Sequence, residues 1–334
     1  RRPPRSTLSS SSAASDVYKR QSSGNTIGSS QANDAITLSA TYNSYARGIT
    51  YHSADAAATI KNNTIGGLTL NYYGEFYGIF NSSSNAGAHL ISDNLVGSLT
   101  QSNSIRGTNN SSGITINGIY SNASGGSATV SNNTIANLSY PYASTNTKIR
   151  GLNINDRGGS FTGNTIRGLS LYAGNTSTGD QNALSGIYAV YSNNPNNVSI
   201  SDNAIYDLSS THESDAVEMN GIYYKNTGTG CIIDKNHIYN ISQSTSNTAS
   251  IINGIHVAGG PVSVANNMVS LGTGTSNAVN IRGIADASGS ANTICYNSVR
   301  IGGSVTGTAG STFSQALFRN LTAADDIRSN IFAN

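Results

Sequence analysis

One pairing recurs along the whole chain and leaves few folds open to it: an asparagine followed two places later by a β-branched or apolar residue. It occurs at Asn25/Ile27, Asn63/Ile65, Asn94/Val96, Asn133/Ile135, Asn164/Ile166, Asn203/Ile205, Asn236/Ile238, Asn267/Val269, Asn297/Val299 and Asn330/Phe332. Three places before each asparagine from Asn63 onward stands Ile60, Ile91, Val130, Phe161, Ile200, Ile233, Val264, Ile294 or Ile327. Upstream again lies a Gly-Ile pair, at Gly48-Ile49, Gly78-Ile79, Gly118-Ile119, Gly186-Ile187, Gly221-Ile222, Gly254-Ile255 and Gly283-Ile284, with Gly151-Leu152 as a variant. Each unit therefore supplies three strand-sized apolar segments.

Successive asparagines lie 30 to 39 residues apart. That irregularity suits coils whose loops vary in length, and no window carries the 3.6-residue apolar stripe that a helical repeat needs. Glycine, asparagine and β-branched residues at this density also argue against helix. A coil of three short strands cannot bury its own apolar face, whereas stacking coil on coil pairs every strand with those above and below. The pattern predicts an all-β, right-handed parallel β-helix of about ten coils, with strands about 4.8 Å apart. Columns of Ile and Val then fill the interior, each buried side chain contributing roughly 1.5–3 kcal/mol. The asparagine column Asn63, Asn94, Asn133, Asn164, Asn203, Asn236, Asn267, Asn297 and Asn330 fits the bend between two strands. Asparagine tolerates left-handed backbone, and its amide can bond its equivalent one coil on.

Residues 1–21, RRPPRSTLSSSSAASDVYKRQ, differ in kind. Basic residues there are followed by no apolar stretch, so a targeting peptide is not indicated. The string SSAASDVYKRQ resembles translated sequencing-adapter read-through, and the segment reads as a non-native or disordered leader to a β-helix spanning 22–334 that is truncated at both ends. Removing its five basic residues and one acid from the chain's 18 and 16 leaves a body of slight negative charge. A nucleic-acid partner thus lacks electrostatic support. No apolar run is long enough to span a membrane, and the two cysteines imply no disulfide framework.

The repeat, as in VSISDNAIYDLS after SGIY or CIIDKNHIYNIS after NGIYY, resembles the parallel β-helix repeat of the pectin-lyase-like superfamily, nearest to Asn-rich repeats of secreted bacterial surface proteins. The resemblance implies an extracellular or cell-surface location. It says little of activity, since the scaffold serves lyases, hydrolases, tailspikes and adhesins. Polygalacturonase-like enzymes carry Gly-His-Gly and Arg-Ile-Lys motifs; neither occurs here, and Asp325-Asp326 alone echoes their acidic set.

Two constellations invite chemistry. Residues 211–218 hold His212, Glu213, Asp215 and Glu218, the densest ionisable cluster in the body. Such groups bind Ca²⁺ through oxygen ligands or act as acid and base on a glycan, with Lys225 nearby, but they equally suit a solvated loop with no metal. The second lies one residue beyond each Gly-Ile pair. Alternation turns that residue outward, giving the column Thr50, Phe80, Tyr120, Asn153, Tyr188, Tyr223, His256, Ala285 and Phe318. Tyr188, Tyr223 and His256 would form an exposed strip suited to stacking on sugar rings, or an aromatic ladder that shields the sheet. His52 and His89 fall in connections with no partner in view.

Three functions are consistent with this reading. One is a secreted or cell-surface stalk or adhesin-like protein binding a polysaccharide weakly on its aromatic face. The second is a polysaccharide lyase or glycoside hydrolase working through 211–218, and the third is a purely structural spacer.

Overall fold

The structure, a computed structural model, describes residues 24–53, 57–84, 87–110, 113–144, 146–172, 176–191, 197–276, 278–303 and 314–334. The leader read in residues 1–21 lies outside them.

The chain winds into a parallel β-solenoid with three sheets. A first sheet contains a path of ten strands, each beginning just after a repeat asparagine; a second, built on the Gly-Ile segments, and a third, built on the apolar column before each asparagine, have nine strands each. The structure makes about eight turns rather than ten. Asparagines mark coil boundaries, so counting them overcounts closed coils.

Register follows the repeats. In the first sheet Ile65 pairs with Val96, Ile135 with Ile166 and Ile205 with Ile238. The second aligns Ile119 with Leu152, Ile187 and Ile222, and the third aligns Val130 with Phe161 and Ile200. These columns are buried and form one continuous core. Glycine precedes the second-sheet isoleucine because the interior is narrow there. A Cβ on Gly186 would lie 2.5 Å from Ile205 Cγ2 and 2.7 Å from the Gly221 carbonyl oxygen.

The asparagine ladder is continuous from Asn25 to Asn330. Asn203 Oδ1 accepts both the backbone N–H and the Nδ2 of Asn164, each at 3.0 Å, and Asn203 Nδ2 donates to Asn236 Oδ1 and to the Phe161 carbonyl at 2.9 Å. The other rungs repeat this. One expectation is displaced by a residue. Left-handed backbone is adopted by the residue before each asparagine: φ lies between 53° and 59° at Asn62, Asp93, Asn132, Asp202, Lys235, Asn266, Tyr296 and Ser329, and is 72° at Gly24 and 67° at Gly163. The ladder asparagine instead turns its amide inward across the bend.

Two histidine assignments also change. His52 lies in the strand Ser44–Ser53, and His89 opens the strand His89–Ser92. His89 is 1% exposed, and its Nδ1 accepts the Ala58 N–H at 3.1 Å.

Candidate functional site

The outward column of the second sheet forms in the predicted register. Thr50, Phe80, Tyr120, Asn153, Tyr188, Tyr223, His256, Ala285 and Phe318 align coil by coil. Tyr188 and Tyr223 stack at 5.5 Å and 14°, and His256 meets Tyr223 edge-on at 5.0 Å. The expected exposure is overturned. Tyr188 and Tyr223 are only 7% and 2% exposed.

Their hydroxyl ends are capped by Asp180, in the stretch that enters the strand Leu184–Val190. A short 3₁₀ turn at Gly179–Gln181 lays this strap across the rings. The Asp180 carbonyl accepts the Tyr188 hydroxyl at 2.9 Å, and its carboxylate accepts the Tyr223 hydroxyl at 2.8 Å and pairs with Lys225. The Gly179 N–H donates to Glu218 Oε2 at 2.7 Å. Burial alone raises the Asp180 carboxyl, but Lys225 and Tyr223 more than offset this and hold it below the usual carboxylate range.

The ionisable cluster at 211–218 divides. His212 Nδ1 accepts the Ser214 and Asp215 backbone N–H groups and lies 3.4 Å from the Asp215 carboxylate. Glu213 projects into solvent while its carbonyl accepts the Ser246 N–H at 2.7 Å. Glu218 belongs to the strand Glu218–Lys225, where its buried carboxylate bonds Asn220 Nδ2 at 3.1 Å and His256 Nδ1 at 3.0 Å. Burial again raises this carboxyl, but His256, the Gly179 N–H and Asn220 bring it below its ordinary value. The four residues therefore do not converge on one ion. Among the described residues no three His, Cys, Asp or Glu side chains group as metal ligands.

Beside the strap opens a cleft of about 470 Å³ whose lining includes Tyr120, Arg150, Asn153, Asn155, Tyr188 and Lys225. Arg150 lies 3.5 Å over the Tyr188 ring, and its Nε is buried without a hydrogen-bond partner. The same diagonal, from the residue before a second-sheet glycine or its variant to the outward aromatic one coil on, places Arg47 3.9 Å over Phe80 and Arg282 3.7 Å over Phe318. Sequence reasoning missed Arg150, though Arg47, Arg150 and Arg282 share one register column and were findable there. Nothing in the sequence pointed to Asp180.

A second outward aromatic pair was also missed. Tyr206 and Tyr239, three places after Asn203 and Asn236, stack on the first sheet at 4.8 Å and 5°. No family model, curated protein or solved structure matches this chain. The site has to be understood from its own geometry.

Proposed function

We propose that this chain is a non-catalytic, glycan-binding β-solenoid of a secreted or surface-displayed protein, of the pectin-lyase-like kind, and that sugar is held in the cleft beside the strap. The observation that carries the reading is the cleft's lining. The open part of Tyr120 offers an apolar ring to the C–H face of a sugar, while Asn153, Asn155 and Arg150 offer donors and acceptors to its hydroxyls. Hydrolysis of a glycosidic bond ordinarily requires two carboxyl groups flanking it. Asp180 is the one carboxylate among the described lining residues.

A glycan array probed with the full chain tests this, with new reducing ends and unsaturated products followed on every bound polymer. Expected are binding without cleavage and about tenfold weaker binding in Tyr120→Ala, roughly the value of one well-placed ring contact. Absence of binding to any glycan would overturn the reading in favour of a spacer. The enzyme alternative draws on the Glu218–His256 pair, in which a buried carboxylate orients an imidazole. Cleavage abolished by Glu218→Gln would establish it.

A further inference from the structure

The first sheet carries a pair of tyrosines that the cleft does not use. Tyr206 and Tyr239 occupy equivalent places in the strands Ala204–Ser210 and His237–Gln243 and pair in register. Their rings stack at 4.8 Å and lie within 5° of parallel. The bend after each ring is also the same. Asp207 and Asn240 both take left-handed backbone, at φ 56° and 51°, and the Asn240 amide donates to the Asp207 carboxylate. No third ring extends the stack, because Tyr206 pairs with Arg167 one coil before and Tyr239 with Ser270 one coil after. Among the described residues, every other pair of tyrosines in ring contact differs. Tyr188 and Tyr223 are near parallel but buried, whereas Tyr77–Tyr120, Tyr140–Tyr142 and Tyr191–Tyr224 meet at angles between 66° and 78°. Tyr206 and Tyr239 are both near parallel and half-buried, within reach of a reagent in solution.

We propose that Tyr206 and Tyr239 are an oxidative cross-linking site, joined as dityrosine when the protein meets hydrogen peroxide and a haem peroxidase. This does not depend on the glycan-binding reading. Each phenol gives one electron to the peroxidase and one proton to water. The unpaired electron of a tyrosyl radical is shared between the oxygen and the Cε carbons beside it. Parallel rings mounted at equivalent positions of adjacent strands present like carbons to one another, and half-buried rings keep the freedom to tilt into bonding distance. One Cε–Cε bond then forms, each of those carbons passes its hydrogen as a proton to its own ring's oxygen, and both phenols are restored. The two electrons and two protons removed reduce one peroxide to two waters. The bond ties consecutive coils and closes a loop in the unfolded chain, in a protein whose two cysteines are free.

The test treats the full chain, dilute, with hydrogen peroxide and a haem peroxidase, and reads dityrosine emission and mass. With 18 tyrosines in the chain, undirected coupling would give many products. The expected product is one: a monomer on a denaturing gel, lighter by two hydrogens. Trypsin should release from that monomer the peptide 168–225 joined to 236–282, in which Tyr239 is the only tyrosine. The joined peptide should vanish in Tyr206→Phe, which keeps a ring in the stack, and persist in Tyr172→Phe, which removes an exposed tyrosine from the same peptide. It should also vanish when the wild type is oxidised after unfolding in urea. A joined peptide that survives in Tyr206→Phe, or that forms equally in urea, overturns the inference, because the stack then does not direct the coupling. Coupling only between chains, or no dityrosine in the folded wild type, overturns it as well.

Discussion

Two stretches of the same outward column meet opposite fates. Phe80 and Tyr120 stack at 5.2 Å and 13° and remain half-buried; Tyr188 and Tyr223 stack at 5.5 Å and 14° and are almost wholly covered. Register, strand type and neighbouring arginine diagonal are alike, so none of these sets exposure. The difference lies in the connection entering the second sheet, which folds back across the face at the turn Gly179–Gln181. In a solenoid the repeat decides where a ring points, and the loop decides whether a ligand can reach it.

The two regions also hold buried carboxyls in opposite states. Near the open pair, Asp156 accepts the Ala123 N–H, leaves Oδ2 without a partner, and is pushed by burial up to about 7. Under the strap, Glu218 has three donors and lies below its ordinary value. Opposite pH dependences follow. Asp156 titrates higher folded than unfolded, so its ionisation removes stability as pH rises from near 4 to near 7, by a loss on the order of 4 kcal/mol for a shift of this size. Glu218 instead contributes stability above its unfolded value, lost as pH falls through its lowered folded one. Urea unfolding should find Asp156→Asn equal to the wild type at pH 3 relative to its own baseline and gaining steadily to pH 8, with Glu218→Gln showing the reverse trend at the acid end. Parallel profiles for the two variants would break the contrast.

The asparagine ladder supplies a control, since it runs through both regions without regard to the strap. Asn133→Ala and Asn203→Ala each remove the oxygen that accepts two N–H groups of the preceding asparagine. Each should cost about 1–3 kcal/mol, the penalty for buried donors left unpaired. Thermal unfolding of the pair should give similar losses. A much larger loss for Asn203→Ala would mean that the strap couples to the ladder and that the two regions differ in more than their loops.

These contrasts mark what could be read in the sequence. The three sheets, their register, the ladder and the outward column were legible because each depends on a residue's place in a repeat, and a repeat is local. The left-handed bend was misplaced by one residue because asparagine suits both jobs. In the structure the ladder position requires the amide, while its predecessor tolerates Asp, Lys, Tyr or Ser. The strap was not legible. Its clasp joins Asp180 to Lys225 and Gly179 to Glu218 across 45 and 39 residues, and among the described residues it occurs in one coil only. Burial of Tyr188 and Tyr223 followed from that unrepeated contact, so alternation gave their direction correctly and their accessibility wrongly.

The smallest expected effect sharpens the comparison most, because it asks whether the arginine diagonals belong to the sheet or to the strap. Arg47 is exposed on the open part of the face, and a solvent-exposed guanidinium on an aromatic ring contributes about 0.5–1 kcal/mol. Methionine keeps part of that contact through sulfur, so Arg47→Met should lower stability by less than 1 kcal/mol and leave Tyr188 and Tyr223 as buried as before. Arg150→Met removes the same kind of ring contact and, in addition, a donor to the Asp180 carbonyl. It also removes the unpartnered Nε. These changes oppose one another in stability, so both variants should unfold within about 1 kcal/mol of the wild type. They should separate in accessibility. The chain has no tryptophan, so its emission reports tyrosine directly. Acrylamide should quench Arg150→Met more strongly than either the wild type or Arg47→Met. Equal quenching of all three proteins would show that Arg150 does not help to hold the strap down, and that its diagonal is a feature of the sheet alone.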